Sequence, residues 1–246
     1  MKWAEGSFKI LMQIIGIQTT TLVDYPGKVA CIVFTAGCNF RCPFCYNPQA
    51  VLPELIAKTT DQRIPESAFF NFLESRKGLL EGVSICGGEP TLQPDLYDFA
   101  KKVKERGFAV KLDTNGRDAQ LVQKMVKDGI LDYVAVDMKA PFSKYEKLTG
   151  VGISSQFRVS FNTLLAFLRA NVVEYEYRTT LIKGYHTADD IEEIASYLFG
   201  IKHYYLQNYM KTITLDPNFA GEAFSPDELA QFQGIAELFV EECKVR

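Results

Sequence analysis

Val29-Ala30-Cys31-Ile32-Val33-Phe34-Thr35-Ala36-Gly37-Cys38-Asn39-Phe40-Arg41-Cys42-Pro43-Phe44-Cys45 decides how the rest of this chain is read. Its first half, Val29–Phe34, is a short β-rich apolar run, the signature of a buried strand. Its second half is a loop with three cysteines spaced C-x3-C-x2-C. Three thiolates on one loop can bind three irons of a cubane and leave the fourth iron open to a small molecule. A zinc site usually takes four ligands, with Cys or His in recognisable pairs. Here only His186 and His203 are available, and neither belongs to such a pair. An electron-carrying cluster usually takes four cysteines. Cys31 falls inside the strand and reads as a small buried hydrophobe.

Outward from this segment the chain alternates strand and helix. Gly82–Cys86, Phe108–Leu112, Tyr133–Val136, Glu174–Leu181 and His203–Leu206 are predicted strands. Between them lie amphipathic helix candidates at Pro65–Lys77, Pro94–Arg106, Ala119–Lys127, Ser154–Arg169 and Ala188–Phe199, with a last helix at Pro226–Cys243. Ser225-Pro226-Asp227-Glu228 carries an N-cap, a proline at N1 and a capping-box glutamate. Thr187 with Asp189 and Asp190 starts another helix. Six βα units imply an α/β fold with a parallel sheet covered by helices, and right-handed crossovers allow a partial (β/α)6 barrel of TIM type. In such barrels the chemistry sits at the C-terminal ends of the strands. Residues 1–12 read as an N-terminal extension and 13–246 as a single domain.

Composition narrows the classes. The 246 residues are 47% hydrophobic, enough for one sizeable core. With 27 basic and 30 acidic residues the net charge is −3, which argues against a nucleic-acid binder held by phosphate contacts. No run approaches the roughly 20 apolar residues that span a bilayer, and Lys2, Glu5 and Lys9 interrupt the N-terminus. A cytoplasmic protein without membrane or nucleic-acid partners is expected. Six cysteines in such a chain point to metal binding or catalysis rather than disulfides.

A second constellation, Cys86-Gly87-Gly88-Glu89-Pro90-Thr91, follows the next predicted strand. Its glycines let backbone approach a ligand closely, and Glu89 puts a carboxylate on the same strand-end face. Alone it reads equally as a tight turn before a helix. Asp113 and Thr114 end the strand after that; Asp137 and Lys139 end the next. Two aspartates at one barrel mouth need compensating hydrogen bonds or cations. The structural alternatives are a helix N-cap for Asp113, an Asp137–Lys139 salt bridge, and an ion pair for Arg178. His186, before a helix, is expected to face solvent. His203, at a strand start, is expected to be half-buried and hydrogen-bonded. Cys243 is expected to be an incidental residue of the last helix. Tyr46 and Asn47 are expected to shape the cysteine loop.

The cysteine spacing followed by Gly-Gly-Glu-Pro resembles the radical S-adenosylmethionine (SAM) superfamily. The resemblance sharpens with Thr21-Leu22-Val23-Asp24-Tyr25-Pro26-Gly27-Lys28, Lys111-Leu112-Asp113-Thr114-Asn115-Gly116, Asp137-Met138-Lys139-Ala140-Pro141, Lys144-Tyr145-Glu146-Lys147-Leu148-Thr149-Gly150 and Tyr177-Arg178-Thr179-Thr180. Together these look like the anaerobic ribonucleoside-triphosphate reductase activating proteins, a group similar to pyruvate formate-lyase activating enzyme. Two departures are Tyr46, where the family commonly has His, and Cys86, where it commonly has Ser. They leave open which glycyl-radical partner is served.

The resemblance implies an oxidoreductase in which Cys38, Cys42 and Cys45 hold a [4Fe–4S] cluster. SAM would chelate the open iron through its amino nitrogen and carboxylate. One electron would break its C5′–S bond to give methionine and a 5′-deoxyadenosyl radical, which takes a hydrogen atom from a partner's glycine. It further implies that Gly87, Gly88 and Glu89 bind the methionyl amino group and that Phe44 packs on adenine, unless Phe44 simply fills the core. Asp113, Thr114, Asp137 and Lys139 would lie near SAM, with the aspartates able to hold a monovalent cation, and Arg178 would contact the SAM carboxylate. The implied partners are the glycyl-radical subunit of the reductase and a low-potential electron donor such as flavodoxin or ferredoxin. The alternatives are a radical SAM enzyme acting on another glycyl-radical enzyme or a small molecule, and a non-catalytic iron–sulfur or zinc protein.

Overall fold

A computed structural model describes residues 12–58 and 62–246. Its sheet has eight strands in the order β1 to β8: Ile14–Thr21, Ala30–Thr35, Gly82–Gly87, Ala109–Thr114, Tyr133–Asp137, Glu174–Leu181, His203–Asn208 and Glu242–Val245. β1 runs antiparallel to β2, and every later neighbour is parallel. β2 to β7 are the six strands read from the sequence. The helices are α1 (Pro48–Val51), α2 (Pro53–Lys58), α3 (Glu66–Ser75), α4 (Leu96–Glu105), α5 (Ala119–Lys127), α6 (Tyr145–Thr149), α7 (Ser155–Arg169), α8 (Ala188–Tyr197) and α9 (Pro226–Ala236).

Three expectations change. The last helix stops at Ala236, not Cys243, and Glu242–Val245 is an edge strand in register with β7, Tyr204 facing Cys243. Four residues with one buried side chain carry no readable alternation; pairing with β7 makes the strand. β1 was not foreseen because Gln18, Thr19 and Thr20 are all exposed, so no period of two appears. The short helices α1, α2 and α6 were not foreseen either. Most of the 1–12 extension lies outside the described residues. Its last residue, Met12, is buried, and its backbone N–H donates to Asp95 Oδ2 at 2.7 Å.

Local chemistry explains the helix starts. Ser225 with Glu228, and Thr187 with Asp190, form complete capping boxes. Ser154 accepts from the Phe157 amide at the start of α7. That helix then buries Phe157, Phe161, Leu164, Leu165 and Leu168, one stripe at helical spacing.

The sheet has two unlike faces. Val33, Ile85, Leu112, Val134 and Tyr175 stand in register across five strands and join the core shared with the helices. The alternate positions carry Ser84, Lys111, Tyr133, Glu176 and Arg178. Lys111 and Glu176 are 0% exposed on that polar face, because the sheet curls over it. Glu176 on β6 accepts from the Tyr133 hydroxyl on β5 at 2.9 Å and pairs with Arg246 beyond β8 at 3.3 Å. Tyr25, from the β1–β2 loop, packs against Ala30 and Tyr133 under the N-terminal end of the strands. The result is the expected α/β partial barrel, with its strand C-termini open.

Candidate active site

The strand C-termini surround a cavity of about 240 Å³. Every site residue singled out from the sequence lines it. Cys38, Cys42, Phe44 and Cys45 come from the loop after β2, and Gly87, Gly88 and Glu89 from the end of β3. β4 supplies Asp113 and Thr114, β5 supplies Asp137 with Lys139 just beyond, and β6 supplies Arg178.

The cysteine loop is anchored on both sides. The Arg41 amide donates to the Thr149 carbonyl at 2.7 Å, and Gly150 closes α6 against the Arg41 carbonyl. The Arg41 guanidinium folds back and donates to the carbonyls of Cys38 and Phe40. From the other side, the Leu215 amide donates to the Cys45 carbonyl and the Asp216 amide to the Pro43 carbonyl, both at 3.0 Å. The Tyr46 hydroxyl accepts from the Met210 amide at 2.8 Å, and its ring stacks on Tyr209. Tyr46 thus shapes the loop, as expected. Phe44 is buried against Phe219 and also faces the cavity.

Burial pushes the Cys42 thiol up to about 12 and Cys38 to about 11, and it raises Cys45 as well. Nearby Lys139 pulls all three the other way. Such thiols ionise when a metal supplies positive charge in place of water. The Phe40 amide donates to Cys38 Sγ at 3.4 Å, the kind of bond that tunes a cluster thiolate. Among the described residues no three His, Cys, Asp or Glu side chains converge on one ion. Three thiols facing one cavity suit a cluster in which each binds its own iron.

Two glycines have no room for a side chain. A Cβ on Gly87 would lie 2.2 Å from the Thr35 nitrogen, and one on Gly88 2.0 Å from the Gly37 carbonyl oxygen. The turn therefore lies tight against the start of the cysteine loop. Glu89 is held still more firmly. Its Oε1 accepts from the Thr91 amide (3.1 Å), the Thr91 hydroxyl (2.6 Å) and the Thr114 hydroxyl (2.8 Å), and its Oε2 from the Asn115 amide (2.7 Å). Burial outweighs these donors and leaves its carboxyl raised. Asn115 also donates to Asn39 Oδ1 at 2.7 Å, tying β4 to the cysteine loop. The sequence reading passed over Asn115, although it sits in the quoted Asp113–Gly116 stretch at a strand end.

The charged wall is compact. Arg178 reaches Asp113 Oδ2 at 2.8 Å and Asp137 Oδ1 at 2.9 Å. Lys139 reaches Asp137 Oδ2 at 3.0 Å, and Lys111 pairs with Asp113. Burial alone would raise both aspartates, but Arg178 with Lys139 or Lys111 holds them below the usual carboxylate range. The ion-pair readings of Arg178 and of Asp137–Lys139 are realised in this arrangement; Asp113 caps no helix.

His186 does not face solvent. It is 3% exposed, because the tight Ile182–His186 turn folds its ring inward. His203 is half-buried and meets Glu242 at 2.8 Å, as expected. Cys86, one of the family departures, lines the cavity beside the charged wall.

A partial α/β barrel with three cysteines, a glycine-rich turn and a charged wall at its strand ends defines a class of cluster-bearing, SAM-type sites. The model of the radical SAM superfamily matches residues 32–198, and the chain belongs to that superfamily. Membership implies a [4Fe–4S] cluster and SAM. The chain is 28% identical over 236 residues to a Methanocaldococcus jannaschii protein provisionally named a glycyl-radical enzyme activating enzyme, covering 95% of each. It is 33% identical over 149 residues to the pyruvate formate-lyase-activating enzyme of Clostridium pasteurianum, covering 58% of this chain and 59% of that one. In fold it is similar to a radical SAM methyltransferase from Sphaerobacter thermophilus, with a TM-score of 0.68 at 18% identity over 90% of this chain and 67% of that one. No helix among the described residues is long and apolar enough to cross a membrane.

Proposed function

We propose that this chain is an activating enzyme that installs a glycyl radical on an anaerobic ribonucleoside-triphosphate reductase. The observation that carries the reading is that the cysteine loop and the Gly87-Gly88-Glu89 turn open onto one cavity, in a chain similar over nearly its whole length to a glycyl-radical activating enzyme by name. The reductase as partner is supported by the motif set running from Thr21 to Thr180. A pyruvate formate-lyase type of partner is the second reading, favoured by the Clostridium relative.

In this reading Cys38, Cys42 and Cys45 hold the cluster. When bound, it supplies the single electron that breaks the C5′–S bond of SAM. Gly87 and Gly88 let backbone meet the methionyl amino group, with Glu89 behind them. Arg178 and Lys139 present cationic donors to the SAM carboxylate, and Phe44 offers a ring to adenine. Thr114 steadies Glu89. Asp113 and Asp137 keep the cations in place and are the pair that would hold a monovalent cation. A flavodoxin or ferredoxin is the expected reductant.

Anaerobic reconstitution tests this. About four irons and four sulfides per chain are expected, with methionine and 5′-deoxyadenosine formed together on reduction with SAM. An EPR glycyl signal should appear on added reductase. A signal only on pyruvate formate-lyase would establish the second reading, and a signal on neither would overturn both. Cys42→Ala should lose cluster and cleavage alike.

A further inference from the structure

His186 lies outside the cavity yet touches the segment that delivers Lys139 to it. Its Nδ1 accepts the Ile182 amide at 3.1 Å. A backbone N–H can only donate, so Nδ1 carries no proton and the ring proton sits on Nε2. Nε2 lies 3.0 Å from the Lys139 carbonyl oxygen and therefore donates to it. Burial, the largest influence, pushes the ring's pKa down, in keeping with this neutral tautomer.

The rest of the segment is held in the same way. The Met138 amide donates to the Arg178 carbonyl at 2.9 Å. The Met138 carbonyl accepts the Thr179 hydroxyl at 2.6 Å, and that hydroxyl accepts the Tyr204 hydroxyl at 2.7 Å. A few residues on, Lys144 donates to Asp190 Oδ2 at 2.7 Å, and Asp190 is the capping-box residue of α8. The start of α8 thus grips the 139–144 stretch at two points, His186 to Lys139 and Asp190 to Lys144. From this fixed backbone the Lys139 side chain runs to Asp137 and lines the cavity.

We propose that His186 is a positioning residue: through the Lys139 carbonyl it aims the Lys139 ammonium at the carboxylate of a bound amino-acid-type ligand in the cavity. This rests on the SAM reading of the site. Any buried histidine needs both nitrogens paired; what is particular here is that one partner is the carbonyl of Lys139, a residue that lines the cavity.

Two substitutions separate the bonds. The Asn oxygen in His186→Asn falls near Nδ1 and keeps the Ile182 bond while losing the Lys139 bond. The Gln amide in His186→Gln reaches the Nε2 position and keeps the Lys139 bond while losing the other. In the reconstituted protein, His186→Asn should weaken SAM binding about tenfold, the equivalent of one hydrogen bond to a charged ligand, and His186→Gln should stay within about twofold. In the cluster-free protein, amide exchange of the 138–141 segment should quicken in His186→Asn but not in His186→Gln, at matched thermal stability. Equal losses in both variants, or no change in either, would overturn the positioning role. If the wild type bound no SAM at all, the functional reading would fail, and the exchange measurement would still decide whether His186 holds the segment.

Discussion

Glu89 shows how much of this site is settled by single atoms. Its buried carboxylate accepts four internal hydrogen bonds and still has a raised pKa, so burial costs more than these bonds return. Thr114→Val keeps the shape and removes one donor. Stability should fall by about 1–3 kcal/mol near neutral pH, read from urea unfolding. Losing a donor to the ionised form raises the carboxyl further, so the deficit should shrink as pH falls and Glu89 takes up its proton. A deficit that stays constant with pH would show that the lost hydroxyl matters only to Gly116, whose amide it also accepts. At this scale the sequence was legible where chemistry fixes residue type. Cys38, Cys42, Cys45 and Gly87–Glu89 announce themselves by spacing. His186 did not, because the turn that buries it depends on the Ile182 carbonyl and on Lys139, 47 residues away.

At the level of elements, α6 exists largely to close on the cysteine loop. It has five residues, too few to be stable alone, and ends at Gly150 with φ of 68°. A Cβ there would lie 2.5 Å from the Arg41 carbonyl oxygen. Gly129 has the same φ but nothing within 4 Å of its would-be Cβ. Gly129→Ala should therefore cost only the left-handed penalty, about 1–2 kcal/mol. Gly150→Ala should cost more and should also lower the iron bound per chain after reconstitution, because the cysteine loop must shift. Equal costs with undiminished iron would show that α6 does not hold the loop. The sequence marked the long elements well: α5 and β6 begin and end where periodicity placed them. It missed α6, β1 and β8, which lack a period of their own and are created by what they pack against.

For the whole molecule, the buried thiols set the alkaline limit. Cys31, Cys42 and Cys243 are pushed up to about 12 and Cys38 to about 11, all chiefly by burial. A thiol whose pKa is raised on folding adds stability that is fully present below its unfolded value, near 9, and is lost as pH climbs past it. Unfolding free energy of the cluster-free protein should therefore be level up to about pH 9 and then fall. If Cys38, Cys42 and Cys45 are the ligands, loading the cluster should lower that slope by the equivalent of about three protons, because their thiols would already be ionised. An unchanged slope would mean that those cysteines are not the ligands. The barrel itself was legible from its βα alternation, but the curl that buries Lys111 and Glu176 inside it was not, since alternation says which residues share a face and nothing about how that face closes. The double anchoring of residues 38–45 has a consequence in time. Their outer supports are Thr149 and Gly150 on one flank and Leu215 and Asp216 on the other. During synthesis the cysteines leave the ribosome well before residues 149–150 and 215–216, which complete their cradle. A cluster held by these cysteines would therefore be fully cradled only once residue 216 has been made.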